Sequence, residues 1–310
     1  MDSISLNIGS LNCRGLYSDI VKRNDVLLWL KKIKLDIAFL VETHSTTRVE
    51  QIWKDEWGKG TAFFSSYGSS SRGVAILLQN TFTYCLHQCF SDPEGRYLFL
   101  DITIHSCRLT MGVVYGPNVD DPAFFENIYT ILDSIGNRSL LLGGDWNVVQ
   151  DYDLDTLNYR QKNNMQAHNK LINIMDDLDL VDIWRENNPD SHTYTWHGPY
   201  KKMSRLDYFL VSTDIGQICN TSKIKPGYRS DHSLILIGIQ FTNINRGKGT
   251  WKFNNSLLLD EEYKRAVKLC INDMINVHKI SILDQIDPMS VRFSTTDQLF
   301  LEVLKSSILG

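Results

Sequence analysis

The chain has 310 residues, 43% of them hydrophobic, with a net charge of −4 and a pI near 6.1. That length can bury a sizeable core in one large domain or two small ones, and the composition is that of an ordinary globular protein. The acidic balance excludes a global basic field of the kind that advertises nucleic acid, although a catalytic centre brings carboxylates whose charge a bound cation offsets.

Leu6, Ile8 and Leu11 mark a first strand that reaches Asn12. Val26, Leu27, Leu30 and Ile33 repeat at helical spacing, with Lys and Arg on the other face. Asp36 to Val41 is a short apolar run ending at Glu42, and Arg72-Gly73 introduces a strand from Val74 to Leu78. Strand-like pieces follow near 97–104 and 107–115. Phe124, Phe125, Ile128, Ile131, Leu132 and Ile135 predict a helix beginning after Pro122. The run at 139–142 is a strand, and Leu171, Ile172, Met175 and Leu178 mark a further helix. Strands at 192–196, 205–211 and 234–241, with a hairpin around 197–204, complete the set. Alternating strands and helices predict two sheets packed face to face with helices outside.

After Phe241 the texture changes. Residues 1–241 read as the main domain and 242–256 as a linker with a basic cluster at Arg246, Lys248 and Lys252. Residues 257–310 read as a helical tail, in which Val267, Cys270, Ile271 and Met274 repeat, as do Leu299, Phe300, Val303 and Leu304. Its apolar face needs a partner, which suggests the beginning of a larger polypeptide. The six cysteines are dispersed, with no CxxC pair, and read as buried thiols rather than zinc ligands or disulfides. No signal region is seen, and no apolar run approaches the ~18 residues that span a bilayer. These features predict an intracellular chain with no membrane contact.

Each strongly strand-like segment carries a polar residue of catalytic type at its edge. Asp145-Trp146-Asn147 follows Leu140-Leu141-Leu142 and Gly143-Gly144. In extended chain, Asp145 and Asn147 fall on one face, so one can take a proton from water or orient it while the other hydrogen-bonds a phosphoryl oxygen. Gly-Gly-Asp and Asn are also turn formers, which explains the residue types but not the buried run before them. Glu42 at a strand tip suits a hard cation such as Mg²⁺, which takes one or two carboxylates and keeps its waters. Asp231-His232 precedes Leu234-Ile235-Leu236-Ile237, and Asp207 is available as a partner that orients the imidazole and keeps it positive. Tyr115, before Gly116-Pro117, can contact the phosphate or stabilise a leaving oxygen, or is a core-edge tyrosine. Asn12 is equally open. The aromatic and basic hairpin with Lys201 and Lys202 can enter a DNA groove or form a solvated tip.

Together the segments Leu11-Asn12-Cys13-Arg14-Gly15-Leu16, Phe39-Leu40-Val41-Glu42-Thr43-His44, Val114-Tyr115-Gly116-Pro117, Gly144-Asp145-Trp146-Asn147, Ser204-Arg205-Leu206-Asp207-Tyr208 and Ser230-Asp231-His232-Ser233 carry a resemblance. The chain resembles the endonuclease/exonuclease/phosphatase superfamily, in its apurinic-endonuclease-like branch at the N-terminus of LINE-type (non-LTR) retrotransposon polyproteins. The resemblance implies an α/β fold, a DNase I-like four-layered sandwich of two packed mixed β-sheets flanked by helices. It implies Mg²⁺-dependent nicking of one strand of duplex DNA, with Mn²⁺ as a substitute, leaving a 3′ hydroxyl that primes reverse transcription. No small organic cofactor is implied, and the point of action is nuclear.

By motif, the resemblance makes Glu42, Asn12 and Asp231 metal residues, and Asp145, Asn147, His232, Asp207 and Tyr115 catalytic. Thr193, Ser230, Lys201, Lys202 and Arg205 fall where DNA contacts are expected. Repair-type relatives carry Asp two residues after the first Asn, and here that position is Arg14. This argues against an abasic-site repair enzyme. The competing readings are a phosphatase or phosphodiesterase of the same superfamily, and an inactive DNA-binding fragment.

Overall fold

In the computed structural model, which describes Ile4–Phe241 together with Lys264, Arg265 and Lys268, apolar runs become strands and the 3.6-residue repeats become helices. In chain order the elements are β1 (Ile4–Asn12), α1 (Ile20–Lys32), β2 (Ile37–Val41), α2 (Glu50–Trp57), β3 (Thr61–Ser65), β4 (Val74–Leu78), β5 (Tyr84–Ser91), β6 (Tyr97–Ile104), β7 (Cys107–Tyr115), α3 (Pro122–Ile135), β8 (Leu140–Asp145), α4 (Tyr152–Asp155), β9 (Thr156–Leu157), α5 (Met165–Asp177), β10 (Leu180–Asp182), α6 (Ile183–Asn187), β11 (Trp196–His197), β12 (Met203–Ser204), β13 (Asp207–Ser212), α7 (Thr213–Gln217), β14 (Cys219–Lys225) and β15 (Leu234–Phe241). The chain separates into two units, Met1–Ile244 and Asn245–Gly310. In the second, Lys264, Arg265 and Lys268 are helical. The expected linker at 242–256 and the rest of the expected tail lie outside the described residues.

One six-stranded sheet runs β14-β15-β1-β2-β4-β3 and the other β10-β13-β8-β7-β6-β5, with a small sheet β11-β12-β9 beside them. Each large sheet is mixed: β1 pairs β2 in parallel and β7 pairs β8 in parallel, while their other neighbours are antiparallel. Strand periodicity then builds four layers. From β2, Phe39 and Val41 enter the core between the sheets, while Ala38 and Leu40 face the layer under α1 and α2. From β8, Leu141 faces the same inter-sheet core, while Leu140 and Leu142 pack under α3 and α5. Strands buried on both faces read as continuous apolar runs, which is why β2, β4 and β8 are plain in the sequence.

Helix ends follow local chemistry. Asp19 caps α1 by accepting from the Lys22 amide, and Asp121 caps α3 by accepting from the Phe124 amide, with Pro122 in the first turn. Gly136, at φ 70°, closes α3 in the left-handed conformation.

Several expectations are corrected. Of the strand expected at 192–196, only Trp196 pairs, within β11. In α5 the buried face is Ala167, Leu171 and Ile174, continuing to Leu178, with Ile172 and Met175 only half-buried. The basic face of α1 is broken by Arg23, which is buried and donates from Nε and Nη2 to Glu56 of α2, both at 2.7 Å. Cys13 is a buried thiol, but Cys85 and Cys89 on β5 are exposed, because β5 is an edge strand.

Candidate active site

Strand ends of both large sheets open on one cleft of about 410 Å³, whose lining includes Asn12, Glu42, Asp145, Asn147, Asp231 and His232. The backbone is bent sharply there. Arg14, Glu42 and Asn147 all adopt positive φ, 47°, 51° and 51°. Such conformations cost energy in non-glycine residues and persist where neighbours impose them. Glu42 is fixed by Gly15, whose amide donates to its carbonyl at 2.8 Å. Gly144, at φ 150°, lies so close to β7 that a Cβ would stand 2.0 Å from the Val114 carbonyl oxygen. Glycine there lets β8 lie against β7 up to Asp145.

Asp145 is buried, and each of its oxygens accepts one hydrogen bond. Its Oδ2 accepts from Asn12 Nδ2 at 2.9 Å and its Oδ1 from the Asn147 amide at 3.1 Å. Asn12 Oδ1 in turn accepts from the Arg14 amide at 2.9 Å, which fixes which end of the carboxamide meets Asp145. Asn12 therefore spends both amide atoms on positioning Asp145 and the Arg14 turn. Opposite, His232 Nδ1 stands 2.8 Å from Asp207 Oδ2 and its Nε2 stands 3.9 Å from Asp145 Oδ2. An imidazole between two carboxylates holds its proton. Burial works against its charge, but Asp207 and Asp145 outweigh that and push the His232 pKa up to about 10. Burial, with the nearby Asp207 charge, pushes Asp145 up to about 7, against the pull of the imidazolium and of Asn12.

Asp207 is held from behind. Thr195 Oγ1, fully buried, accepts from both the Leu206 and Asp207 amides at 3.0 Å. The Ser233 amide donates to the Thr195 carbonyl at 2.6 Å, so one residue ties the two strand starts that deliver Asp207 and His232. Tyr115 is buried at the end of β7 and its hydroxyl meets Glu42 and Asn118. Burial and the Glu42 charge hold this phenol well above its ordinary pKa, so it is a hydrogen-bond donor. Asn147 Nδ2 donates to the Gly116 carbonyl at 2.9 Å.

The residues expected to touch DNA divide. Lys201 and Lys202 are exposed at the hairpin tip, and the Lys202 ammonium lies 5.5 Å over the Tyr159 ring. Thr193 is half-buried and shares a 3.0 Å hydrogen bond with Ser191. Ser230 Oγ donates to the Asn12 carbonyl at 2.7 Å and accepts from the His232 amide at 3.1 Å, so it braces the site internally. Arg205 is a correction. It is fully buried, donating to Asp155 from Nε at 2.7 Å and Nη2 at 2.8 Å, and to Asp182 from Nη1. A guanidinium saturated by two buried carboxylates cannot reach a phosphate.

Thr195 and Asn118 escape sequence reasoning. Asn118 stands next to Gly116-Pro117, so its nearness to Tyr115 was the available signal. Thr195 gives none, since its partners are 11 and 12 residues away.

The cleft fits a hard divalent cation. Glu42, Asp145 and Asp231 offer it carboxylate oxygens, and Asp231 Oδ1 is buried without a partner. Asp145, Asp207 and His232 also bring ligand atoms within 4.8 Å of one another. With His232 Nδ1 bonded to Asp207 and its ring charged, that trio is better suited to moving and holding a proton than to ligating an ion.

A profile of the endonuclease/exonuclease/phosphatase family matches residues 9–232. The chain is 28% identical over 275 residues to the Transposon TX1 uncharacterized 149 kDa protein of Xenopus laevis. That match covers 86% of this chain and 20% of that protein, so the chain spans about a fifth of its relative. Among solved structures, the AP endonuclease LMAP from Leishmania major superposes with a TM-score of 0.66 at 16% identity, covering 77% of this chain and 88% of that one. An AP endonuclease from Archaeoglobus fulgidus gives 0.61 at 22% identity, over 75% and 98%. The endonuclease domain of TRAS1, a telomere-specific non-LTR retrotransposon, gives 0.57 at 15% identity, over 76% and 98%. At these identities the likeness shows the fold, two mixed sheets flanked by helices. No helix among the described residues is long and apolar enough to cross a membrane.

Proposed function

The chain belongs to the endonuclease/exonuclease/phosphatase family, a divalent-metal-dependent group of phosphoester hydrolases, and from that premise we propose that it is a Mg²⁺-dependent endonuclease that nicks one strand of duplex DNA. The observation that carries the reading is His232, set between Asp207 and Asp145 in the cleft that Glu42 lines. The retrotransposon relatives support DNA as the substrate, and a nuclear place of action is part of the same proposal.

Glu42, with Asp145 and Asp231, would hold Mg²⁺, or Mn²⁺ in its place. When bound, the cation supplies the positive charge that neutralises the phosphate and its developing charge. Asp145, whose raised pKa suits a base at neutral pH, orients the attacking water and takes its proton. The water oxygen forms a bond to phosphorus as the bond to the 3′ oxygen breaks, leaving a 3′ hydroxyl and a 5′ phosphate. His232 presents the imidazolium to a non-bridging oxygen, stabilising the charge of the pentacovalent state, and Asp207 keeps that ring protonated and oriented. Tyr115 offers a hydrogen bond to the phosphate or the leaving oxygen, which takes its proton from solvent water. Asn147 has a second amide hydrogen free for the phosphate, and Asn12 holds Asp145 in register. Lys201 and Lys202 supply contacts to the DNA backbone.

The test is nicking of supercoiled plasmid with Mg²⁺. Relaxed circles should appear with wild type and fall by at least ~10²-fold with Asp145→Ala or His232→Ala. Equal rates in wild type and variants, or release of phosphate from soluble esters with no relaxed circle, would sink the proposal.

A further inference from the structure

Among the described residues lining the cleft, Arg14 alone carries a permanent positive charge, in a lining that also holds the carboxylates of Glu42, Asp145 and Asp231. Its backbone is fixed from three sides. The Arg14 amide donates to Asn12 Oδ1 at 2.9 Å, and its carbonyl accepts from Lys22 Nζ at 3.0 Å. The next amide, of Gly15, donates to the Glu42 carbonyl at 2.8 Å. The head is not fixed. The Arg14 side chain is 68% exposed, and its Nη1 lies 3.4 Å from Asp231 Oδ2. A pair that long and that exposed contributes little and opens easily. Asp231 gains no other side-chain cover from it, since Oδ1 stays buried and unpartnered.

The neighbouring cations are not equivalent. Arg229 is neutralised by Asp25 at 2.6 Å and Asp19 at 3.7 Å. Lys22 is half-buried, with its ammonium spent on the Arg14 carbonyl. Arg14 is left as the exposed, weakly paired charge at the rim, on a backbone held by hydrogen bonds, with a planar fork that matches two oxygens of a phosphate.

We propose that Arg14 is a phosphate-binding residue, which leaves Asp231 when duplex DNA docks and grips a backbone phosphate adjoining the one that is cut. The proposal rests on the endonuclease reading, which supplies the DNA. It makes Asp231 a competitor: its carboxylate is the counter-ion that Arg14 must give up.

The experiment is binding of a short fluorescent duplex to the full chain in EDTA, followed by anisotropy across a salt series. Arg14→Gln should bind more weakly, with the slope of log affinity against log salt shallower by about 1, and Arg14→Lys should keep the wild-type slope. Asp231→Asn should tighten binding in the wild-type background and lose most of that gain in Arg14→Gln, because the competitor then has nothing to hold. A merely structural pair would instead weaken binding in both single variants. An Arg14→Gln protein with the wild-type slope overturns the clamp alone. Wild type that fails to bind the duplex at low salt removes the endonuclease reading, and the clamp with it.

Discussion

At the scale of single residues, the site is a balance of three buried charges. Asp207 stabilises the imidazolium of His232 and opposes ionisation of Asp145, so it sets both edges of the working pH range. The proposed mechanism needs Asp145 ionised and His232 protonated. With Asp145 pushed up to about 7 and His232 up to about 10, the mechanism predicts that nicking is fastest between those values. A bound cation moves the acid edge lower, because it favours the carboxylate. Asp207→Asn removes the charge that raises both groups, so both edges should move to lower pH, and the alkaline edge should fall toward the ordinary imidazole range near ~6.5. Nicking rates from about pH 5 to pH 10 check this. A variant whose alkaline edge coincides with that of wild type would show that Asp207 does not hold the proton on His232.

At the scale of elements, the hairpin of β11 and β12 is anchored by an ionic knot. Asp155 at the end of α4 and Asp182 at the start of α6 both take Arg205, Arg185 adds to Asp155, and the rings of Trp184 and Tyr208 lie 5.3 Å and 5.4 Å from the Arg205 guanidinium. Burying such charges is costly, and removing one partner leaves another uncompensated. Asp155→Asn should therefore destabilise the fold by about 3–5 kcal/mol, read as a lower urea midpoint. A loss below ~1 kcal/mol would mean that water replaces the missing charge. This knot was illegible in the sequence, where Arg205 beside Asp207 looked like a phosphate contact. Its partners are 50 and 23 residues away, and nothing local distinguishes a buried guanidinium from an exposed one. Edge strands were illegible for a related reason. β5 and β14 are largely exposed, and β3 begins and ends on the polar residues Thr61 and Ser65 and is only partly buried, so none carries the apolar run that marked β2, β4 and β8. The site-bearing ends of β1, β2, β7 and β8 were plain because each stops at or just before a polar residue, Asn12, Glu42, Tyr115 and Asp145.

At the scale of the molecule, the site exists only where the two sheets meet. Asn12, Glu42 and His232 lie at the ends of strands in one sheet, and Tyr115, Asp145 and Asp207 in the other. Their relative placement depends on the core between the sheets, where Phe39 and Phe209 pack across the interface with ring centres 6.0 Å apart. Gly143 lies beneath Phe209, where a Cβ would come within 2.3 Å of the ring. Phe209→Ala should cost about 3–5 kcal/mol, because a cavity opens where the sheets press together. Leu132→Ala, on the buried face of α3 in the outer layer, should cost about 2–5 kcal/mol. The two differ in what the cavity separates. Phe209→Ala loosens one half of the site from the other, so nicking per folded molecule should fall even where the protein remains folded. Leu132→Ala should leave that specific rate at the wild-type level. The comparison is made at a temperature where circular dichroism shows both variants folded. Equal specific rates would mean that hydrogen bonds across the cleft, such as Asn12 to Asp145, hold the two halves together without help from the core.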